Sequence, residues 1–391
     1  MKPSNKVKER FSSNSAESYE GRHHSGGALP FRGQIHGGRV FEAARQLGRP
    51  WNEIIDFSAN INPLGQPRGL KEVLFKNFDT TLHYPEVMAE SLAERLAEIF
   101  DLPPDHFLSG AGSTPHFHLL ARSLGLTRPV IIGPAFAEYE GALTRAGLKA
   151  RYVTTRERDD WVVTPETLDR LFKKQPDAVF LAHPANPTGR LAPTDILNEL
   201  LEECGRRNVW MIIDEAFIDF TENGRSLLPL VAKHPRLIVL RSLTKIFALP
   251  GLRLAFLAAH PKVMARLLPL VEPWGLSSLA ICAGHYCLSR HGVREATAKG
   301  TRIFRRHLIR ELTELNIGRI FPSEANFLLL KLREEIEPRE LSSALFHEGI
   351  LIRDASNFHG LRSGFVRLAV RPVPEITALI QSLKRFLNGG E

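Results

Sequence analysis

Short apolar runs alternate with amphipathic segments through the middle of this chain, and no other feature of the sequence limits the possible folds as strongly. The runs predict buried strands, and the segments between them predict covering helices. Alternating strands and helices build a parallel sheet with helices on its faces, so we expect an α/β domain. The predicted strands are residues 130–133, 149–153, 178–182, 209–213, 237–241, 254–258, 326–330 and 365–370, and the predicted helices are residues 113–124, 165–174, 195–204 and 338–348.

The chain is long enough for two domains. With 391 residues, of which 43% are hydrophobic, it can bury a large core. We expect residues 81–287 to form a large α/β domain, and residues 34–80 and 288–391 to form a smaller α+β domain with an N-terminal arm. Residues 1–33 are rich in Ser, Gly, His and charge and predict a disordered tail.

Charge and composition exclude several classes of partner. The formal net charge of +8 is not gathered into a basic stripe interleaved with aromatic residues, so we expect anionic small molecules rather than nucleic acid. No apolar run approaches the roughly 18 residues that span a bilayer, and residues 1–10 are too charged for a secretory signal. We therefore expect no membrane partner and a cytoplasmic location.

The three cysteines predict neither a disulfide framework nor a metal site. Cys204, Cys282 and Cys287 are scattered, which favours a reducing compartment. His285 lies near two of them, but offsets of three and five do not share one helix face, and no fourth ligand is obvious.

Three polar motifs follow buried-looking apolar runs in a fixed order. They are Asn186-Pro-Thr-Gly189, Asp214-Glu-Ala-Phe217 and Ser242-Leu-Thr-Lys245, and Arg253 comes eight residues after the last of them. In open α/β sheets, ligands bind beyond the carboxyl ends of the strands. We therefore expect the motifs to meet in one crevice.

The residues in these motifs match the functional groups of pyridoxal phosphate. A lysine beside hydroxyl groups and an arginine can bond an aldehyde, so Lys245 is the candidate for covalent attachment and catalysis. The Asp214 carboxylate can keep the ring nitrogen protonated, and the Asn186 amide can donate to the phenolate oxygen.

Other residues suit the phosphate and the ring face. A helix start and fixed donors bind phosphate, which predicts roles for Gly112, Ser113, Thr114, Ser242 and Arg253. Phe136 can stack on the ring. Taken singly, Asp214 could cap a helix, the glycine-rich segment could be an ordinary turn, and Phe136 could belong to the core.

Longer strings carry a resemblance to a known family. They are His36-Gly-Gly38 with Phe41-Glu-Ala-Ala44, Asp56-Phe-Ser-Ala-Asn-Ile-Asn-Pro-Leu-Gly65, Asp214-Glu-Ala-Phe-Ile-Asp-Phe220, Arg353-Asp-Ala-Ser-Asn-Phe-His-Gly-Leu361 and Phe365-Val-Arg367. From about residue 36 to residue 387 the chain resembles the fold-type I pyridoxal-phosphate enzymes, in the group of histidinol-phosphate aminotransferases and threonine-phosphate decarboxylases. The strings are most similar to the decarboxylases of cobalamin biosynthesis.

The resemblance implies a large domain with a mainly parallel seven-stranded sheet. It also implies a homodimer with shared active sites, in which Tyr84 reaches the cofactor phosphate of the neighbouring subunit. Phe217 stands where the histidinol-phosphate aminotransferases have the tyrosine of an Asp-Glu-Ala-Tyr motif. The resemblance therefore implies that the hydroxyl which this tyrosine donates to the cofactor is missing here. The chain departs from the decarboxylases at Ala355, where a cysteine is expected. It also departs from them at residues 112–114, where the decarboxylases usually have an acidic loop.

The resemblance also implies a substrate with a carboxylate and a phosphate, L-threonine O-3-phosphate. Arg367 is the carboxylate candidate, because a guanidinium can bind a carboxylate at two points. His36, Asn62, Asn186 and Arg353 are candidates for the rest of the substrate. Decarboxylation is the leading hypothesis. A histidinol-phosphate aminotransferase or a related class I/II aminotransferase is the second, and a non-catalytic binding protein is the third. Serine phosphate stays open as an alternative substrate, since one methyl group is worth only about 1–3 kcal/mol.

Overall fold

A computed structural model describes residues 36–389, so the tail predicted for residues 1–33 lies outside the described residues. The α-helices are α1 (Val40–Leu47), α2 (Leu70–Lys76), α3 (Glu90–Phe100), α4 (Ser113–Ser123), α5 (Ala137–Arg145), α6 (Pro165–Phe172), α7 (Thr194–Arg206), α8 (Leu243–Ile246), α9 (Pro261–Leu267), α10 (Ser278–Leu288), α11 (Val293–Glu314), α12 (Pro338–His347) and α13 (Val373–Leu387). Within the described range, none of them combines the length and the apolar character needed to cross a membrane.

The strands form three sheets. They are β1 (Ile55–Asp56), β2 (Phe107–Gly110), β3 (Pro129–Gly133), β4 (Arg151–Thr154), β5 (Ala178–Ala182), β6 (Trp210–Asp214), β7 (Leu237–Ser242), β8 (Ala255–Ala259), β9 (Gly318–Ile320), β10 (Phe327–Leu332), β11 (Ile350–Leu351), β12 (Arg353–Asp354) and β13 (Phe365–Ala369). Seven of them form the central sheet, in the order β2-β8-β7-β6-β5-β3-β4. Strand β8 is antiparallel to both of its neighbours, and the other pairings are parallel.

Both faces of the central sheet are buried, as the continuous apolar runs predict. Successive side chains of a strand point to opposite faces. Accordingly, Val130 and Ile132 of β3 join one hydrophobic cluster, while Ile131 joins the cluster on the other face. This burial explains why the strands of the sheet lack the polar alternation of a sheet with one wet face.

The predicted α/β architecture with a mainly parallel seven-stranded sheet is confirmed. Strand β5 has the predicted bounds, and the other predicted strands and helices differ by one or two residues at their ends. Strand β2 was not predicted, because Phe107–Gly110 is short and leads directly into a glycine-rich turn. The antiparallel direction of β8 was also not predicted.

A second, antiparallel sheet follows in the C-terminal part, in the order β12-β13-β10-β9. Side chains of α11, α12 and α13 pack with it into a separate hydrophobic cluster. The N-terminal segment joins this region through β1, which pairs in parallel with β11. The boundaries of the two domains stay a prediction.

Candidate active site

Three motif residues lie at the carboxyl edge of the central sheet. Asp214 is the last residue of β6, Asn186 follows β5, and Lys245 lies in α8 directly after β7. Because β5, β6 and β7 are parallel neighbours, their carboxyl ends share one edge. The structure therefore brings together the residues that the motif order predicted to meet.

Lys245 is held in a partly buried position by contacts to its own backbone. Asn62 donates from its backbone N to the Lys245 carbonyl at 3.2 Å, and from its side-chain Nδ2 to the Ile246 carbonyl at 2.6 Å. Burial, as the largest cause, together with the nearby Arg367 and Arg253 lowers the pKa of the Lys245 amine from 10.5 to about 8. A larger share of the amine is therefore neutral and nucleophilic near neutral pH.

Asp214 has both carboxylate oxygens bonded within the protein. The Tyr139 hydroxyl donates to Oδ2 at 2.6 Å, and the Ala216 amide donates to Oδ1 at 3.0 Å. Burial raises the pKa of Asp214, while these two donors and Lys245 oppose the rise. A cation bound beside this carboxylate would keep it ionised.

The start of α4 and Arg253 form a cradle for an anion. Gly112 precedes the helix with φ +90°, and having no side chain it leaves the first N–H groups of α4 uncapped. A Cβ on Gly112 would lie 2.5 Å from Arg253 Nη2, so only glycine leaves room for the guanidinium. Ser113 and Thr114 occupy the first turn of α4.

Ser242 ends β7 and pairs with Ala255 of β8, which in turn pairs with Gly110 of β2. Its buried hydroxyl shares a hydrogen bond of 2.7 Å with the hydroxyl of Thr244, which precedes Lys245. The two hydroxyls therefore belong to the segment that carries the lysine, as the Ser-x-Thr-Lys motif requires.

Arg367 is a buried cation whose partners are all neutral. Its Nη1 donates to Asn186 Oδ1 at 2.6 Å, and its Nη2 donates to the Ser58 carbonyl at 2.7 Å. Its buried Nε has no hydrogen-bond partner, and no carboxylate within residues 36–389 forms a salt bridge with it. Burial and the neighbouring Arg353 lower its pKa, which a bound anion would reverse.

Arg353 lies directly opposite Arg367 in the register of the antiparallel pair β12 and β13. Opposite residues on neighbouring strands project to the same face, where two like charges repel each other. Arg353 donates from Nη2 to Asn357 Oδ1 at 2.7 Å and lies over the Phe358 ring at 5.2 Å. Two guanidinium groups on one face suit a ligand with more than one anionic group.

Phe136 and His36, two further predicted residues, lie close to each other, and Phe136 also lies close to Tyr139. The Phe136 ring is 5.7 Å from the His36 ring and 5.9 Å from the Tyr139 ring. His36 shares a hydrogen bond of 2.9 Å with Glu138. Gly37 packs so closely that a Cβ there would lie 2.2 Å from the Ser58 carbonyl oxygen, which is the acceptor of Arg367.

Asn62, one of the predicted residues, makes contacts within the protein that its string did not suggest. Asn62 was expected to contact the substrate, but its Nδ2 donates to Ile246 and to Thr297 Oγ1, and its Oδ1 accepts from the Leu64 amide. Its amide is thus engaged within the protein, and we interpret it as a residue that positions the lysine segment.

Tyr84 is 85% exposed, and its ring lies 5.2 Å from the Trp274 ring. Within residues 36–389 no hydrogen bond or ring contact joins Tyr84 to the other predicted site residues. This separation in one chain accords with the expectation that Tyr84 serves a neighbouring subunit, which stays a prediction.

Sequence reasoning did not identify the buried ion pairs beneath the site. Arg241 donates from Nη1 to Glu215 at 3.0 Å and from Nη2 to Asp219 at 2.6 Å. These bonds tie the segment after Asp214 to the strand that leads to Lys245. The sequence does place Glu215 directly after Asp214 and Arg241 directly before Ser242. It does not show that these two charged residues pair with each other.

The described residues offer no metal centre. Within residues 36–389 no group of three or more His, Cys, Asp or Glu side chains is arranged to hold a metal ion. His285, the residue near two cysteines, shares a hydrogen bond of 2.8 Å with Ser91 Oγ.

Comparisons with known proteins identify the family of this chain. Residues 52–383 match the family described as aminotransferase class I and II. The chain is 36% identical to threonine-phosphate decarboxylase of Salmonella typhimurium over 90% of this chain and 97% of that protein.

Two solved structures are also similar. L-threonine-O-3-phosphate decarboxylase from Porphyromonas gingivalis has a TM-score of 0.76 at 26% identity, covering 86% of this chain and 100% of that one. Histidinol-phosphate aminotransferase from Clostridium acetobutylicum has a TM-score of 0.79 at 28% identity, covering 86% of this chain and 99% of that one. The backbone fold is therefore common to both activities and does not separate them.

Proposed function

Because the chain belongs to the aminotransferase class I and II family, we propose that it is a pyridoxal-phosphate enzyme that decarboxylates L-threonine O-3-phosphate. The products are carbon dioxide and (R)-1-amino-2-propanol phosphate. The bond from Cα to the carboxylate breaks, carbon dioxide leaves without its bonding electrons, and a proton takes its place at Cα. The observation that carries this proposal is Arg367, a buried guanidinium with an unpartnered Nε and no carboxylate partner among the described residues.

The residues present fit the proposed cofactor. The Gly112 cradle with Arg253 and the uncapped start of α4 suits its phosphate. Asp214 suits a protonated ring nitrogen, because a buried carboxylate with a raised pKa is stabilised by an adjacent cation. Arg367 can only donate, so the Asn186 oxygen faces it, and the NH2 end of the amide is left to donate to the phenolate oxygen.

The proposed substrate supplies a carboxylate partner for Arg367, which forms no salt bridge among the described residues. A carboxylate on Arg367 would satisfy its Nε and remove the cost of a buried cation without a counter-ion. A phosphate carries a further negative charge that suits Arg353, which lies opposite in the strand register. Histidinol phosphate has no carboxylate, so in the competing transamination only the 2-oxo acid co-substrate would pair with Arg367, whereas threonine phosphate offers Arg367 and Arg353 both anionic groups in one molecule.

Each side chain has a defined part in the reaction. When bound, pyridoxal phosphate supplies a conjugated ring that accepts the electron pair released at Cα. Asp214 stabilises the positive charge that makes the ring an electron sink. Arg367 holds the carboxylate and so fixes which bond at Cα faces the ring. The Lys245 amine would be the group available to hold or return a proton at Cα.

Phe217 favours decarboxylation over histidinol-phosphate transamination. Its buried ring packs edge-on against Phe327 at 5.0 Å, and Arg367 lies 5.5 Å from the same Phe327 ring. A phenylalanine cannot donate to the phenolate oxygen, so Asn186 acts there without a tyrosine hydroxyl. The electronic properties of the bound cofactor should therefore differ from those in an aminotransferase with tyrosine at this position.

Turnover of two substrates tests the proposal. Purified protein loaded with pyridoxal phosphate should release carbon dioxide from threonine phosphate without any 2-oxo acid. Lys245→Ala should abolish this release, and its thermal unfolding should show that it is folded. Faster conversion of histidinol phosphate with 2-oxoglutarate than carbon dioxide release would instead establish the aminotransferase. A parallel assay with serine phosphate measures selectivity for the methyl group.

We extend the proposal to the biological setting. Aminopropanol phosphate is the linker of the cobalamin nucleotide loop, so the enzyme would serve cobalamin biosynthesis. A cytoplasmic reaction agrees with Cys204, Cys282 and Cys287, which are all free thiols.

The proposal includes a homodimer with shared sites. Several large apolar side chains between residues 75 and 84 are exposed to solvent. Phe75 is 84% exposed, Leu82 78% and Tyr84 85%, and Phe78 and Trp274 are exposed as well. A monomer rarely exposes so many large apolar groups, so a second copy covering them supports the proposed dimer. The same association would bring Tyr84 to the neighbouring cofactor phosphate.

Subunit complementation tests the shared site. Lys245→Ala and Tyr84→Ala should each be nearly inactive alone. After subunit exchange, each mixed dimer holds one site with both native residues, so activity should recover to roughly a quarter of wild type. Dimers without recovery would show that Tyr84 does not act across the interface.

A further inference from the structure

The geometry points to Tyr139 as a positioning residue for Asp214, one that holds the carboxylate ionised and aligned for the ring nitrogen of the cofactor. Tyr139 is not among the motif residues. The inference rests on the proposed cofactor chemistry, but it does not depend on which substrate the enzyme uses.

The Tyr139 hydroxyl is arranged for this contact. Its side chain is 1% exposed, and the hydroxyl donates to Asp214 Oδ2 at 2.6 Å, a short bond of the kind formed with an ionised acceptor. The ring is fixed by Phe117 at 4.7 Å and by Phe180 at 6.0 Å. Because aromatic neighbours hold the ring, the hydroxyl is delivered to Asp214 from a rigid position.

Tyr139 also belongs to the segment that forms the ring-face side of the site. Phe136 immediately precedes α5, and Tyr139 lies three residues later, so both side chains lie on one side of the first turn. Their rings meet edge to face at 5.9 Å. One short segment therefore supplies both a stacking surface for the cofactor and the donor that orients its counter-ion.

Two fixed donors set the orientation and the charge of Asp214. Tyr139 holds Oδ2 and the Ala216 amide holds Oδ1, so the carboxylate cannot rotate freely. Donation to a carboxylate favours its ionised form, whereas burial favours the protonated form. Without the hydroxyl, the pKa of Asp214 rises and its protonated form is favoured. Asp214 then takes the proton from the ring nitrogen more easily.

A purely structural role for the hydroxyl makes a different prediction. A buried hydroxyl needs a partner, and Asp214 could simply be the acceptor within reach. In that case Tyr139→Phe would lower the thermal stability of the protein without changing the protonation of the bound ring. The protonation state of the ring nitrogen therefore separates the two roles.

The experiment uses the holoenzyme reconstituted with pyridoxal phosphate labelled with ¹⁵N in the ring. In wild type the nitrogen resonance should have the shift of a protonated ring across pH 6–9. In Tyr139→Phe it should move toward the unprotonated shift within this range, the visible band of the bound cofactor should change with it, and kcat should fall about 10-fold.

Tyr152→Phe is the matched control. It also removes a tyrosine hydroxyl from a carboxylate, since Tyr152 donates to Glu140 at 3.1 Å, but it lies outside the residues that line the site. Its ¹⁵N resonance and pH profile should equal those of wild type. Identical resonances in Tyr139→Phe and wild type at every pH would overturn the inference, whatever the loss of thermal stability.

A double-mutant cycle tests whether Tyr139 acts through Asp214. Tyr139→Phe should lower kcat in the native background and leave it unchanged within twofold in an Asp214→Asn background. Equal losses in both backgrounds would contradict an action through Asp214. If Tyr139→Phe does not fold, 4-aminophenylalanine at position 139 keeps the ring and weakens the donor, and an unmoved ¹⁵N shift with it across pH 6–9 would also overturn the inference. Because the resonance is read without substrate, failure of the decarboxylase proposal cannot be mistaken for failure of this one.

Discussion

Arg367→Lys should weaken the binding of threonine phosphate while leaving the binding of its decarboxylated product nearly unchanged. A guanidinium has five N–H donors, and Arg367 gives one to Asn186 and one to the Ser58 carbonyl, which leaves three that include the buried Nε–H. A lysine has three donors. If Asn186 and the Ser58 carbonyl each keep one donor, only one donor of the lysine remains for the ligand. Binding of a carboxylate at two points is then no longer possible.

The size of the effect follows from the lost contact. One hydrogen bond to a charged group contributes about 1.5–3 kcal/mol, so the dissociation constant of threonine phosphate should rise between roughly 10- and 150-fold. Aminopropanol phosphate has no carboxylate, and its dissociation constant should change less than about threefold by the same reasoning. The ammonium keeps a positive charge in the site, so its long-range attraction for anions remains.

Calorimetric titration of both ligands into protein that is loaded with pyridoxal phosphate and also carries Lys245→Ala, which does not turn over the substrate, measures this difference. Arg371→Lys is the matched control, because Arg371 follows the same strand and pairs with Glu375 at 2.7 Å near the surface. A spectroscopic titration with pyridoxal phosphate checks that release of Asn186 has not weakened cofactor binding. Equal losses for the two ligands, or no loss for either, would remove Arg367 from the carboxylate role and refute the reasoning.

Further predictions concern the lysine and two glycines. The rate at which the apoprotein attaches pyridoxal phosphate should rise with pH, and the midpoint of the rise should lie near 8 rather than 10.5. The reason is the lowered pKa of Lys245, above which the amine is neutral. Stopped-flow absorbance measures this rate. Gly112→Ala should weaken cofactor binding about 10-fold or more, because the new Cβ would displace Arg253. Gly125→Ala is the control, since Gly125 also has a positive φ but has open space around it. Its cofactor affinity in equilibrium dialysis should be unchanged. Gly37→Ala should raise KM for threonine phosphate with kcat nearly unchanged in steady-state assays, since its Cβ would collide with the carbonyl behind it and displace the N-terminal segment.

The secondary structure of the large sheet was predictable because its signals are local. Continuous apolar runs mark strands buried on both faces, and β5 accordingly has the predicted bounds. The signal fails for Phe107–Gly110, where only the first two of four residues are buried and a glycine-rich turn follows. The direction of β8 has no local signal, since the chain can enter a sheet from either end.

The candidate site was predictable where the chemistry of a residue coincides with a strand end. Asn186, Asp214 and Lys245 follow neighbouring parallel strands, so their convergence follows from the motif order. Asn62 shows the limit of this reasoning. Its string suggested substrate contact, yet its amide bonds to Ile246 and Thr297, which are remote in sequence.

By itself the sequence determined the fold class and the family and indicated the candidate reactive residues, because apolar periodicity and motif order are properties of consecutive positions. Only the tertiary structure decided which charges remain without partners. Arg367 is a ligand-binding candidate because folding buries it among neutral acceptors, whereas Arg241 is structural because folding sets it against Glu215 and Asp219. Tyr139 likewise has a role only because α5 brings its hydroxyl to the end of β6. Hydrogen bonds and ion pairs between distant segments depend on distances of a few ångströms, and those distances are set by the packing of the whole chain.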